Sequence, residues 1–260
     1  MNILFVGDIV GGPGRRLLGQ WTPRLRDQYA VDAVVVNGEN AAGGLGITPA
    51  LIDELHDAGA DVITLGNHTW RKKELAPALD QYPFTVRPAN YPEGVPGKGA
   101  VVFEMRDGRR LAVLNLIGRV YMDPVDCPFM RADKEIGRLR QQTPIIIVDF
   151  HAEATAEKVA MGWHLDGRCT AVVGTHTHVQ TADERVLPQG AAYITDVGMT
   201  GPLDGVIGMQ RDRVLRRFLT GMPEEFKVAN ERPGLCGVVI QCDDTTGQAT
   251  SIERIQCIES

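Results

Sequence analysis

What this chain lacks narrows its class first. The five cysteines (Cys127, Cys169, Cys236, Cys242, Cys257) are odd in number, widely spaced and never arranged as C-x-x-C. Neither a disulfide framework nor a zinc knuckle is indicated, and a reducing compartment fits. No apolar run approaches the roughly 18 residues of a membrane span, and MNILFVGD enters a strand with no basic leader, so a soluble, cytoplasmic protein is expected. Basic clusters are also missing. With a formal net charge of −6, the chain is poorly suited to a long nucleic-acid track held by its phosphates. There is no internal repeat, low-complexity tract or linker, and 260 residues with 43% hydrophobic content can bury one large core. A single domain over 1–260 is expected.

What is present is a set of short Val- and Ile-rich runs, each ending in metal-binding side chains. NILFVGD ends at Asp8, DAVVVNGEN at Glu39 and Asn40, DVITLGNH at Asn67 and His68, PIIIVDFH at His151, and TAVVGTHTH at His176 and His178. Each run reads as a buried strand meeting a loop at its carboxyl end, the edge where open α/β sheets bind ligands. Together they carry more ligands than one tetrahedral ion needs, which points to a two-metal site.

Helical spacing separates the strands. Leu17, Leu18, Trp21 and Leu25 mark a helix over 14–30, which Pro23 should kink or split. Thr48 and Pro49 look like an N-cap and first helical residue, opening a helix with Leu51, Ile52 and Leu55 on one face. A helix is expected over 71–81. AVVFEMRDGRRLAVLNLIG then reads as a hairpin turning at Asp107 and Gly108. Strand 144–150, helix 155–165 and strand 170–175 restore the βα pattern. Beyond it, 185–197, 235–242 and 248–257 read as strand, with a helix near 211–220. The pattern suggests two sheets packed face to face with helices outside.

Taken singly, each candidate has a bland explanation. Asp8 after Gly7 could be a turn residue, Asn67 a helix cap and His151 a satisfied buried histidine. His176 and His178 are harder to dismiss, because positions i and i+2 of an extended chain point to the same side. The coincidence on five strand ends decides for a metal site. His56 and His164 lie at helix surfaces or ends and are set aside. The Gly43, Gly44, Gly46 loop either offers N–H groups to phosphate or simply turns tightly.

These motifs resemble those of the calcineurin-like metallophosphoesterases, which carry D-x-H, GD, GNH plus an acid, a His, and GH-x-H on strand ends. Here the series reads Asp8-Ile9-Val10, Gly38-Glu39-Asn40, Gly66-Asn67-His68-Thr69, His151 and Thr175-His176-Thr177-His178. Val10 replaces the first His, Glu39 the bridging Asp and Thr69 the acid. With NGENAAGGLGIT, RPANYP and DVGMTGP, the chain is similar over nearly its whole length to the YmdB branch, a group of bacterial phosphodiesterases.

The resemblance implies a four-layer α/β/β/α sandwich of two mixed sheets. It makes Glu39 a bridging ligand, with Asp8, Asn40 and His178 completing one metal and Asn67, His151 and His176 the other. Asn40 would stand in for the His missing at Val10. The donor set suits iron, manganese, zinc or cobalt over magnesium or calcium, and the resemblance favours iron or manganese. Two cations so bridged would share a water that becomes hydroxide at neutral pH and attacks phosphorus in line. His68 would be the general acid or a donor to the phosphoryl group. Arg87 and Arg119, each just past a strand, are candidate substrate contacts, and Asp196 a candidate partner of a ligand histidine. The implied function is hydrolysis of small phosphodiesters, such as 2',3'- or 3',5'-cyclic nucleotides, by a homo-oligomer. A phosphomonoesterase such as a nucleotidase, or a metal-dependent nucleotide-binding regulator with incidental turnover, remains open.

Overall fold

The computed structural model describes residues 1–259. The chain runs β1 (Asn2–Val6), β2 (Asp8–Ile9), α1 (Gly11–Tyr29), β3 (Ala33–Asn37), α2 (Pro49–Asp57), β4 (Val62–Thr64), α3 (Leu75–Ala78) and β5 (Thr85–Val86). There follow β6 (Ala100–Glu104), β7 (Arg110–Ile117), α4 (Pro128–Leu139), β8 (Ile146–His151), α5 (Thr155–Leu165), β9 (Ala171–Thr175), β10 (Arg185–Val186) and β11 (Ala192–Ile194). β12 (Met199–Pro202), α6 (Arg211–Thr220), β13 (Pro233–Cys242) and β14 (Ala249–Ile258) complete it.

Two mixed sheets result. β1, β3, β4 and β5 are parallel neighbours, and β13 joins them antiparallel to β1 while carrying β14 on its own register. The second sheet has the order β10-β11-β9-β8-β7-β6, with β7, β8, β9 and β11 parallel. Successive strand residues face opposite sides, so strands covered on both faces must be apolar throughout. Ile3 and Phe5 of β1 accordingly pack between the sheets with Val113, Ile147 and Val173, whereas Leu4 and Val6 pack outward with Leu18, Leu25, Ile52 and Leu55 of α1 and α2. A third apolar layer joins Leu114, Val148 and Phe150 to Ile136, Leu139, Met161 and Leu165 of α4 and α5. At about 1.5–3 kcal/mol per large buried side chain, these three layers hold helices on both outer faces of the paired sheets, the expected α/β/β/α sandwich.

The differences from expectation have local causes. α1 is one helix from Gly11 to Tyr29 with Pro23 inside it. Pro23 and Gly19 lie on its exposed side, where the carbonyl that loses its partner meets solvent, while Thr22 Oγ1 donates to Leu18 O on the buried side. The helix expected over 71–81 breaks into 3-10 turns at Thr69–Arg71 and Leu79–Gln81 flanking the short α3, which contains Pro77. The strand expected over 185–197 is interrupted by a turn at Gly190 (φ 97°). α4 occupies a stretch to which the sequence reading assigns nothing.

The sheets meet beneath one rim. Asp149 of β8 accepts from Asn37 Nδ2 of β3 at 3.1 Å, from the Thr64 hydroxyl of β4, and from Thr175 Oγ1 of β9 at 2.7 Å. One buried carboxylate thus ties the carboxyl ends of two strands in each sheet.

Candidate metal centre

Glu39 sits fully buried in the loop after β3, its N–H donating to Asn37 Oδ1 at 3.2 Å. Its Oε1 is 3.2 Å from His151 Nε2, and its Oε2 accepts the His68 N–H at 3.1 Å. On one side, Asn67 Oδ1 and His176 Nδ1 lie 2.9 and 3.1 Å from His151 Nε2. On the other, Asn40 Nδ2 is 3.1 Å from both Glu39 Oε1 and His178 Nε2, and His178 Nε2 is 3.7 Å from Asp8 Oδ1. The seven side chains therefore form two groups, Asn67–His151–His176 and Asp8–Asn40–His178, with Glu39 between them. Glu39, His151 and His176 offer ligand atoms all within 4.8 Å of one another.

The outer nitrogen of each histidine faces an acceptor. The Thr175 hydroxyl gives its hydrogen to Asp149, so at 2.9 Å it can only accept from His151 Nδ1–H. His178 Nδ1 donates to the Ile207 carbonyl at 3.0 Å, and His176 Nε2 lies 3.1 Å from Glu153 Oε2. The inner nitrogens of His176 and His178 are left with lone pairs directed into the cluster, the tautomers that ligation requires. A hydrogen on His151 Nε2 would face three acceptors: Asn67 Oδ1, Glu39 Oε1 and His176 Nδ1. Across the cluster, buried Asp8 Oδ1 has no hydrogen-bond partner among the described residues. An orphaned carboxylate oxygen, a bridging carboxylate and converging imidazoles are a donor set that fits cations.

The electrostatics agree. Burial alone would raise Glu39, but the charges and hydrogen bonds of His151 and His68 hold it well below the usual carboxylate range. Burial would lower His151, yet Glu39, Asp8 and Asp149 hold it up at about 9, so the ring is charged near neutrality. Burial and the adjacent His151 charge push His176 down to about 3, which keeps it neutral. Burial also raises the carboxyl of Asp8. The carboxylates thus hold a proton on His151 at the place where a cation would compete for them.

Comparison with known proteins follows this geometry. A family model described as YmdB-like protein matches residues 4–255. This chain belongs to the YmdB-like family. A relative from Bacillus subtilis (strain 168), named 2',3'-cyclic-nucleotide 2'-phosphodiesterase, is 54% identical over 255 residues, spanning 98% of this chain and 96% of its own. A crystal structure of a hypothetical protein from Thermus thermophilus superposes with a TM-score of 0.93 at 41% identity, covering 100% of both chains. That of a novel phosphatase from Mycoplasma pneumoniae gives 0.92 at 36% identity, covering 99% of this chain and 93% of the other.

Several details of this YmdB-like chain differ from the sequence reading. His176 and His178 do not share one side of an extended segment. β9 ends at Thr175, both residues have positive φ (101° and 66°), and their rings turn to different groups. Asn40 directs its amide nitrogen toward Glu39 and His178 and its oxygen to His68 Nδ1 at 2.8 Å, so to ligate a cation it must turn its amide over. Asn40, not an acid at position 69, orients His68. Thr69 Oγ1 instead donates to Gly66 O at 2.7 Å. Arg87 is buried, and its guanidinium donates to the carbonyls of Pro88, Val95, Pro96 and Gly97 and braces that loop. Arg119 is exposed past β7, with Nη2 3.5 Å from Cys127 Sγ and its backbone N–H held by Glu157. The Gly43–Gly44 N–H groups donate to Ala41 and Asn40 carbonyls, so that loop is a turn.

Sequence reasoning missed Asp149 and Thr175 as the groups that orient His151, and Glu153 as the carboxylate beside His176. A signal existed for Asp149, a carboxylate inside the apolar run IIIVDFH.

Proposed function

We propose that this protein is a metal-dependent phosphodiesterase acting on small phosphodiesters, with 2',3'-cyclic nucleotides as the favoured class. The observation that carries the reading is the arrangement of the three imidazoles. Each outer nitrogen faces Thr175, Glu153 or the Ile207 carbonyl, and the inner nitrogens of His151 and His178 lie near Glu39 and the unpartnered Asp8 Oδ1. The name of the 54% identical Bacillus relative supports the substrate class.

Glu39 would bridge two divalent cations, with Asp8, Asn40 and His178 holding one and Asn67, His151 and His176 the other. Bound there, the cations would supply an activated nucleophile at neutral pH and charge neutralisation at the phosphoryl group. The chain's own contribution is placement and proton transfer. Two carboxylates leave such a centre with excess positive charge inside an acidic protein, which draws in a phosphate ester. His68 Nδ1 also lies 3.3 Å from Glu39 Oε1, which would accept its hydrogen once the Asn40 amide turns to a cation. In the protonated ring Nε2–H is then free to protonate the departing ribose oxygen.

The Mycoplasma crystal structure named a novel phosphatase favours a second reading, phosphomonoester hydrolysis by the same residues. Metal analysis together with steady-state rates on 2',3'- and 3',5'-cyclic nucleotides and on nucleoside monophosphates tests both. The proposal expects two transition-metal ions per chain, iron or manganese, and saturable turnover of a cyclic nucleotide. Turnover confined to monophosphates would favour the second reading. Tight nucleotide binding with negligible turnover of every compound would make the protein a binding regulator instead.

A further inference from the structure

Lys158 of α5 is a charge in the core. Its side chain is 1% exposed, and its ammonium donates to Asp196, also 1% exposed, at 2.6 Å. Its stem passes Gly174 of β9, where a Cβ would collide with the Thr195 carbonyl and also come within 3.1 Å of Lys158 Cδ. A buried ion pair contributes little net stability, because desolvation offsets the attraction. Its effect must be sought in what it holds in place.

Asp196 Oδ2 also accepts the Thr177 N–H at 3.0 Å and the Thr177 hydroxyl at 2.7 Å, while Oδ1 accepts the Gly198 N–H at 2.8 Å. Thr177 lies between His176 and His178, whose φ values of 101° and 66° belong to backbone that side-chain-bearing residues adopt only at a cost of roughly 1–3 kcal/mol each. Asp8 Oδ2 accepts the His176 N–H at 3.3 Å. The strained turn is therefore clamped at successive backbone N–H groups by two buried carboxylates, and one of these is held by Lys158.

We propose that the Lys158–Asp196 pair is a positioning device that locks the turn at Thr177, so that His176 and His178 are aimed at different members of the cation pair. This rests on the metal-binding reading of the site. Lys158 touches neither the ligand atoms nor substrate. Its loss leaves Asp196 free to relax and the turn free to leave positive φ, and both cation positions weaken together.

The test is a Mn2+ titration of chelator-treated protein, with free Mn2+ read by its EPR signal. Wild type is compared with Lys158→Met, Thr177→Val and Met161→Ala at a temperature where circular dichroism shows each folded. Met161 is a fully buried neighbour on the same helix, so its truncation lowers stability without touching Asp196. The expected result is two sites in wild type, and both weakened about tenfold to a hundredfold in Lys158→Met. A smaller loss is expected in Thr177→Val, and unchanged affinities at a lowered Tm in Met161→Ala. Wild-type Mn2+ affinities in Lys158→Met overturn the proposal. If that variant does not fold, Thr177→Val decides, and unchanged affinity there overturns it equally. No stoichiometric Mn2+ binding in wild type would instead sink the metal-binding reading itself.

Discussion

Thr175 and His151 share a hydrogen bond of 2.9 Å on the side of the ring that faces away from the ligand cluster. The same hydroxyl donates to Asp149 at 2.7 Å. A buried carboxylate thus sets the orientation of a candidate ligand ring through an intervening hydroxyl.

Thr175→Val tests that link. It preserves volume but leaves Asp149 Oδ1 and His151 Nδ1 short of a partner, at about 1–3 kcal/mol each. We expect a lowered Tm and metal affinity reduced by roughly 10- to 100-fold, from thermal melts and metal titration. Unchanged affinity would mean that the ring is oriented by packing alone.

The charge on His151 predicts the pH dependence. Its folded value of about 9 lies above the ordinary 6.5. In the metal-free protein its contribution to stability is therefore fully present below about pH 6.5 and is lost as pH rises through about 9. A cation must displace that proton, so metal loading near pH 7.5 should release at least one proton per chain, and apparent affinity should climb up to about pH 9. Calorimetric titration in buffers of different ionisation heat measures the release. The same heat in every buffer would contradict a charged His151.

Glu39→Gln removes the carboxylate that stands between the two ligand groups. Turnover should fall by on the order of 10² or more, with metal stoichiometry falling too. His56→Ala loses only a 2.7 Å contact to Ala60 O and should leave turnover unchanged. A Glu39→Gln protein that holds two metals and works at the wild-type rate would exclude the bridge.

His68→Ala separates two roles for that ring. If His68 protonates the leaving oxygen, kcat/KM should drop about 10²- to 10⁴-fold for a cyclic nucleotide, whose leaving group is a ribose alkoxide. It should change little for bis-nitrophenyl phosphate, whose leaving group is acidic. Comparable losses on both, at equal metal content, would assign His68 to the phosphoryl oxygens instead.

Arg87→Met should affect stability rather than substrate binding. It strips donors from the carbonyls of Pro88, Val95, Pro96 and Gly97, at a cost of at least about 2 kcal/mol. KM per metal-loaded enzyme should stay within about twofold, since uniform binding is untouched. A large rise in KM at unchanged Tm would place Arg87 at the substrate.

Regular backbone was legible in the sequence because its periodicity is a consequence of burial. The alternation of Ile3 and Phe5 with Leu4 and Val6 is what a strand between two apolar layers requires. The clustering of the candidate ligand side chains was legible for a related reason, since a polar residue closing a buried run stands at a strand end. Irregular backbone was not. Nothing in THTH reveals that the strand stops at Thr175 and that the next residues turn through positive φ. Nor does an Arg after a strand reveal that the following loop folds its carbonyls back onto it. α4 was missed although its signals are present: Pro128 in the first turn, then Ala132, Ile136 and Leu139 at helical spacing.

The contact between Asp8 and His176 spans 168 residues of chain. β2, which carries Asp8, pairs with β12, and β1 is flanked by β13 near the carboxyl end. During synthesis the amino-terminal carboxylate therefore waits for most of the polypeptide to leave the ribosome before its histidine partners exist beside it. Closing so long a loop is slow and comes late in folding. On the metal-binding reading proposed above, a nascent chain would offer a cation only scattered single ligands, and metallation would belong to the folded molecule.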